Sequence, residues 1–309
     1  MKKDRAGVPT PRQPRKPCRA GSRFFKLVAI VGAVAFPTLA SAISIDAGDY
    51  TALPPSANIA AMYYQHAEDT SIYSNGSRVA GGDITSNIAI ARFIHFMSIG
   101  GFTVDPQVLI PFGHVGGTSE MSTLGNNTGL GDTIFAATVW LINRPESNTY
   151  FGITPFIYAP TGSYDRNRGI NLGENRWKFA VQAGFITPIA PKVVLDLAAD
   201  GTAFTSNHNY GATGATMTES PLFQAQAWLR YQLTSNLDLR VGGSYIFGGT
   251  TTVAGVSQSD RQSTPGFLVG AAWFPTKTWQ IIALYGRQTS TENGPLETER
   301  FNIRVAHFF

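Results

Sequence analysis

Cys18 is the single cysteine in 309 residues, and it precedes the first apolar run. A lipoprotein cysteine would follow that run, and a lone thiol can form neither a disulfide within the chain nor a thiolate metal site. Charge is also scarce, at 14% of residues. Beyond residue 42 no stretch offers 18 consecutive apolar residues, and the mean hydropathy is −0.04. A bundle of membrane helices, each needing about 20 such residues, is thereby excluded. Enzyme signatures are missing as well. There is no G-x-S-x-G elbow, no P-loop, no H-E-x-x-H and no set of carboxylates at metal-ligand spacing. His66, His95, His114, His208 and His307 are scattered and read as isolated polar residues. The chain is therefore not read as an enzyme, and no cofactor or metal is implied. A barrel lipid hydrolase using His114 or His208 is the remaining enzymatic alternative.

What the sequence does have begins with a basic leader. Residues 1–26 carry nine Lys or Arg against one acid, Asp4, and an apolar run from Leu27 to Phe36 follows. Pro37 and the small tripeptide Ala40-Ser41-Ala42 then fit a signal-peptide cleavage site. Cleavage is expected after Ala42, giving a signal peptide at 1–42 and a mature start at Ile43. Nine of the 24 basic residues and one of the 20 acidic ones leave with it, so 15 against 19 remain. The mature net charge of −4 removes the support that the basic whole chain lent to nucleic-acid binding.

The remaining chain is rich in glycine and aromatics and alternates at period two along most of its length. Phe223, Ala225, Ala227, Leu229, Tyr231 and Leu233 share one face, opposite Gln224, Gln226, Trp228, Arg230 and Gln232. Val193, Leu195, Leu197 and Ala199 alternate in the same way with Asp196, Asp200 and Thr202, and Phe179, Val181, Ala183 and Phe185 with Lys178 and Gln182. Twelve strands are expected, at 58–66, 85–96, 102–112, 133–141, 150–158, 177–186, 193–204, 222–233, 237–247, 266–274, 279–288 and 300–309. Linkers after odd-numbered strands are long and polar, as at 159–176, 205–221 and 248–265. Those after even-numbered strands are short, as at 187–192 and 234–236.

That parity is what a transmembrane barrel produces, with long loops outside and tight turns in the periplasm. The fold class is accordingly all-β: a transmembrane antiparallel up-and-down barrel of about 12 strands at 58–309. The segment 43–57 precedes it as a periplasmic or lumen-entering tail. Localisation in the outer membrane of a Gram-negative bacterium follows, with outer-membrane lipid as one partner. Trp140, Tyr150, Tyr158, Trp177, Tyr231, Tyr245, Phe247, Trp273, Phe274 and Trp279 fall near strand ends and are expected in interfacial girdles. The last strand, Phe301 to Phe309, resembles the C-terminal signature read by the barrel-assembly machinery, with His307 departing from it.

Three motifs carry a family resemblance: Gly129-Leu130-Gly131-Asp132, Ala159-Pro160-Thr161-Gly162-Ser163-Tyr164-Asp165, and Asn171-Leu172-Gly173-Glu174-Asn175-Arg176-Trp177. In this order they resemble the outer-membrane transporter family named for a MetA pathway of phenol degradation. The resemblance implies an exported barrel that passes small, often aromatic or hydrophobic compounds, with no catalytic residues to transfer. Physically, Pro160 and Gly162 suit a turn and Gly173 a backbone angle closed to other residues, folding an external loop. The alternative is that 159–176, with Asp165, Arg166, Arg168, Glu174 and Arg176, bends inward and constricts a pore.

Register across the turn 234–236 places Gln232 against Asp238 and Arg230 against Arg240 if Leu233 opposes Leu237. Like charges face to face call for acids nearby. Asp196 is expected to join Arg230 and Arg240 inside the periplasmic mouth, with Asp200 and Asp238 flanking. Lys178 and Arg304, on the polar faces of their strands, are further lumen candidates. The cluster reads either as a brace for the wall or as a charged constriction. The overall reading is a channel for a small-molecule permeant, against a non-conducting structural or adhesive barrel.

Overall fold

In the computed structural model, which describes residues 44–309, the alternating stretches become strands that close on themselves. The leader, the cut after Ala42 and Cys18 lie outside the described residues. In chain order the strands are β1 (Asn58–Ser74), β2 (Ser77–His95), β3 (Met97–Ile99), β4 (Phe102–Gly117), β5 (Asn126–Leu130) and β6 (Thr133–Arg144). Next come β7 (Thr149–Ala159), β8 (Lys178–Ala190), β9 (Val193–Phe204), β10 (Asn207–Tyr210), β11 (Ala215–Glu219) and β12 (Leu222–Thr234). The last are β13 (Leu237–Gly248), β14 (Thr251–Val253), β15 (Val256–Ser257), β16 (Gln262–Thr276), β17 (Trp279–Gln288) and β18 (Gly294–Phe308).

Twelve of these form the ring β1-β2-β4-β6-β7-β8-β9-β12-β13-β16-β17-β18, every neighbour antiparallel, closed by pairing of β18 with β1. Closure leaves no edge, which is what lipid demands of a sheet, since nothing there can pair a free amide. β5 prolongs β6 past a break at Gly131–Asp132 and pairs with β4. β10, β11, β14 and β15 make a separate small sheet at the loop end. Met62, Phe93, Phe135, Val181, Leu197, Val241 and Ile303 are exposed on the outer wall. In a bilayer that band meets acyl chains.

Three linkers expected to be long, 67–84, 113–132 and 289–299, are wholly or partly strand instead. β1 and β2 run on to an Asn75–Gly76 turn in which both residues have positive φ, 50° and 72°. That dipeptide is the one a two-residue hairpin favours. β4 extends to Gly117 and is met by β5 returning, and β18 begins at Gly294. In these extensions most side chains of both parities are half-buried, so the contrast between the two faces is lost. Backbone pairing persists there without an apolar stripe to mark it.

Four of the expected girdle aromatics face the interior instead. Trp140, Tyr150 and Tyr158 are 2%, 4% and 9% exposed, and Phe274 packs against the same interior cluster as Trp140. The pleat decides this, because Phe135, Leu141 and Ile157 at the other parity point outward. Trp177, Tyr231, Tyr245, Trp273 and Trp279 are exposed on the outer wall, and Phe247 stacks there on Phe223 and Tyr245.

Topology can be tested with single cysteines and a membrane-impermeant thiol reagent on intact cells. Ser257→Cys, in the exposed β14–β15 hairpin, should label. Ser235→Cys, in the β12–β13 turn, should label only after the membrane is broken. The opposite pattern would invert the barrel.

Candidate functional site

Residues 44–57 lie inside the ring. The Ile45 amide donates to Gln226 Oε1 at 3.0 Å, and the Gly48 amide to Asp196 Oδ1 at 2.9 Å. Arg240 Nη1 donates to the Ala47 carbonyl at 3.0 Å, and Trp140 Nε1 to the Tyr50 carbonyl at 2.9 Å. Asp49 takes Arg304 Nη1 at 2.5 Å and Arg92 Nη1 at 3.5 Å, and Asp46 takes Arg304 Nη1 at 3.2 Å. These partners sit on β2, β6, β9, β12, β13 and β18, so only an interior position reaches them all. Ile45, Ala47, Tyr50 and Ala52 also join Ile94, Phe96, Trp140, Ile186, Trp228 and Ile282 in one buried apolar cluster. This part of the lumen is thus packed like a domain core.

Tyr50 sits in a slot built by two neighbouring strand pairs of β7 and β8. Gly152 pairs with Gly184 and Thr154 with Gln182. A Cβ on Gly184 would stand 2.1 Å from the Tyr50 ring, and one on Gly152 3.1 Å away. The two glycines are therefore the space the ring occupies. Its hydroxyl lies 2.9 Å from Thr154 Oγ1 and 3.1 Å from Gln182 Oε1.

Among the lumen candidates, Arg230 does face Arg240, and Gln232 faces Asp238. Leu233 does not oppose Leu237. A register shift between Gln232 and Thr234 pairs Thr234 with Leu237 instead. Arg230 Nε binds Asp196 at 2.7 Å, and Arg240 binds Asp238 at 2.7 Å. Each arginine therefore has a wall carboxylate of its own. Asp200 stands apart from this group, accepting from Gln182 Nε2 at 3.1 Å. Arg304 is on the far side of the same belt, holding Asp46 and Asp49, and Lys178 is at the opposite mouth. Arg92, Asp105, Gln107, Asp49 and Tyr50 complete the interior and were not singled out from the sequence. Asp105 and Gln107 do share one face of β4, which is the signal that could have found them.

At the loop end the three family motifs converge on Asp132. Its carboxylate accepts the Gly162 amide at 3.0 Å and the Glu174 amide at 3.0 Å. Gly162 and Gly173 touch backbone to backbone, so a Cβ on Gly173 would lie 2.6 Å from the Gly162 carbonyl carbon. Gly173 is thus required for close approach and not for an unusual backbone angle. The left-handed residue is Asn175, at φ 55°. Asn171 ties the loop internally to Asp165, Tyr164 donates to the Asn209 carbonyl at 3.0 Å, and Asn175 reaches Asn207. Trp177 stacks on Phe179 at the outer wall. Leu172 lines the outer part of the lumen, so the loop both covers the mouth and narrows it.

Behind the loop, Glu174 binds Lys178 and Arg176 at 2.6 Å each, and Arg176 also binds Glu219 at 2.5 Å. Burial would raise Glu174, but two cations outweigh it and hold the carboxyl down to about 2. Glu219 has only a share of Arg176, and burial pushes it up to about 7.

The lumen is divided in two. A cavity of about 350 Å³ opens among the turn residues Thr234, Ser235 and Asn236, and one of about 260 Å³ lies toward the loops. Asp49, Tyr63, Arg92 and Arg304 line both, and so form the partition. The histidines take no part in it: His66, His95, His114 and His208 each face a nearby Asn or Thr.

The model of the family described as "Putative MetA-pathway of phenol degradation" matches residues 68–305. The chain belongs to that family. It is 36% identical to an outer membrane channel from Pseudomonas putida F1, covering 86% of this chain and all of that one, with a TM-score of 0.83. The β-domain of a Bordetella autotransporter, 10% identical over 82% of this chain and all of its own, shares the fold with a TM-score of 0.52. No curated protein sequence matches the chain. Family and structure together make this an outer-membrane barrel with a channel role.

The loop cluster should titrate. Glu219 gains affinity for its proton on folding, so its contribution to stability is full below 4.5 and lost as pH rises through about 7. Glu219→Gln should flatten the thermal midpoint across that window, as read by heat-induced loss of compact gel mobility. Glu174→Gln should cost about 3–5 kcal/mol at any pH above 4.5, because it leaves the buried Lys178 ammonium uncompensated. Gly173→Ala should also destabilise, by about 1–3 kcal/mol of overpacking.

Proposed function

We propose that the protein is a passive channel for small aromatic compounds, held shut at its periplasmic end by its own residues 44–57. The observation that carries this reading is the slot of Tyr50. An aromatic ring bearing a hydroxyl already lies against Gly152 and Gly184 with Thr154 and Gln182 at its polar edge. A small aromatic solute entering from the loop side meets the apolar faces of Phe156, Tyr158, Ile134 and Leu109, with Thr154 and Gln182 of the same slot at the far end of the outer cavity. Twelve strands fall between the roughly eight whose side chains fill the interior and the 16–18 that leave a wide aqueous pore. Such a ring is wide enough for a route yet narrow enough for fourteen residues to stop it.

The relation to the Pseudomonas putida channel supports passage over a purely structural or adhesive barrel. Closure by residues 44–57 is reversible on physical grounds. Much of what holds them is hydrogen bonds and ion pairs, each exchangeable for water or solute at a modest net cost of about 0.5–1.5 kcal/mol for a neutral hydrogen bond.

Tyr50→Ala should shift the docked state markedly, since truncating a buried aromatic costs about 3–5 kcal/mol. At 1.4 kcal/mol per tenfold, that lowers the docked-to-undocked ratio by about 100-fold or more. In planar bilayers the wild type should conduct little, and Tyr50→Ala and a deletion of residues 44–57 should both open it. A deletion variant that folds but conducts no better than the wild type would refute the reading.

A further inference from the structure

Four arginines line the lumen, Arg92 and Arg304 at the partition and Arg230 and Arg240 on the turn side of it, and they are not equivalent. Arg230 and Arg240 have wall carboxylates, Asp196 and Asp238. From the wall, Arg92 and Arg304 have only neutral partners, side-chain amides and a tyrosine hydroxyl. Arg92 Nε and Nη2 donate to Gln107 Oε1 at 3.0 and 2.6 Å, and Arg304 Nη2 donates to Gln280 Oε1 at 2.8 Å. The wall acid beside Arg92, Asp105, is engaged by Gln107 Nε2 at 2.9 Å and the Thr138 amide at 2.7 Å. The ion-pair partners of Arg92 and Arg304 among the described residues are Asp49 and Asp46, both on the segment 44–57. Both guanidinium groups also donate to the Tyr63 hydroxyl, at 2.9 and 3.4 Å. Arg304 is buried, and its Nε has no hydrogen-bond partner among the described residues.

We infer that Arg92, Arg304 and Tyr63 form an anion site whose resident occupant is the Asp49 carboxylate and whose exchangeable occupant is the carboxylate of a small organic acid. This rests on the channel reading and adds to it the charge of the permeant. When residues 44–57 leave the lumen, two buried cations lose their counter-charge, and an uncompensated buried charge is strongly unfavourable. A solute carboxylate restores it. Guanidinium groups suit that task, since each presents a planar fork of donors that a carboxylate can meet with both oxygens. The unpartnered Arg304 Nε is a donor that Asp49 leaves unused. The site lies on the boundary between the two cavities, so a solute crossing the barrel must pass it. Binding and opening are then one exchange, in which an external carboxylate replaces an internal one.

The test is calorimetry of benzoate binding to purified full-length protein at neutral pH, with benzamide as the uncharged counterpart. Compact gel mobility checks folding of each variant. Asp49→Asn removes the carboxylate that both guanidinium groups share and leaves Asp46 on Arg304 alone, so it should bind benzoate at least 10-fold more tightly than the wild type and should not bind benzamide. The double variant Arg92→Gln/Arg304→Gln should lose benzoate binding. Equal benzoate affinity in Asp49→Asn and the wild type, equal binding of benzamide, or undiminished binding in the double variant would each overturn the site. Conductance separates this from the channel reading. Tight benzoate binding by Asp49→Asn without conduction in the 44–57 deletion keeps the site and removes the passage. Conduction in the deletion with no benzoate binding does the reverse.

Discussion

A ring of twelve tilted strands encloses more space than its inward side chains fill, and lipid forbids the ring to collapse or open an edge. Everything distinctive in this molecule follows from how that surplus interior is handled. On the periplasmic side the chain fills it with residues 44–57, and Trp140, Trp228, Ile186 and Ile282 turn inward to pack against them. On the loop side the segment 160–177 is drawn over the mouth and Leu172 projects into it. What is left is two modest cavities and a charged partition between them.

Irregular backbone at membrane depth needs partners for its amides and carbonyls, and a wall with all its own backbone paired can offer only side chains. Both inserted segments are met in the same way. Asp196 receives the Gly48 amide at one end of the barrel, and Asp132 receives the Gly162 and Glu174 amides at the other. The carboxylates differ in their surroundings. Asp196 is also held by Arg230, whereas Asp132 sits at the break between β5 and β6, where Gly131 and Gly162 approach too closely for any side chain. The loop is thereby locked by backbone packing, and the N-terminal segment is held by polar contacts together with a buried apolar cluster.

Much of the barrel was legible because its outer wall faces a uniform solvent. From Gln232–Asp238 upward the pairing of β12 with β13 follows the pattern, including Arg230 against Arg240. Only at the turn does a bulge displace Leu233. The reading failed where inside and outside stopped differing in polarity. Trp140 and Tyr150 looked like girdle residues because the interior beside them is as apolar as lipid, a consequence of the docked segment. Toward the loops the pattern fails too, since most side chains on both faces of β1 and β2 are half-buried there and alternation fades, although Asn75–Gly76 marked the hairpin. Asp196, Arg230 and Arg240 could be grouped by depth along strands. The backbone of Ala47 and Gly48, which Arg240 and Asp196 also hold, has no periodicity and could not be placed that way.

If residues 44–57 close the channel as proposed, the chemistry of the closed state also bounds what can open it. A plug held by apolar contact alone would yield only to solutes that dissolve in its core, and a plug held only by surface ion pairs would be worth little in water. Here both kinds of contact meet in consecutive residues. Asp49 is bound by two guanidinium groups and Tyr50 by a glycine-lined slot with hydroxyl and amide partners. A solute that offers one feature competes for one residue and leaves the other docked. One that offers both, an aromatic ring with an anionic group, competes for the pair. On the proposed reading, discrimination comes from the coincidence of two interactions, and the chain's own Asp49-Tyr50 dipeptide is the standard that a permeant would have to match.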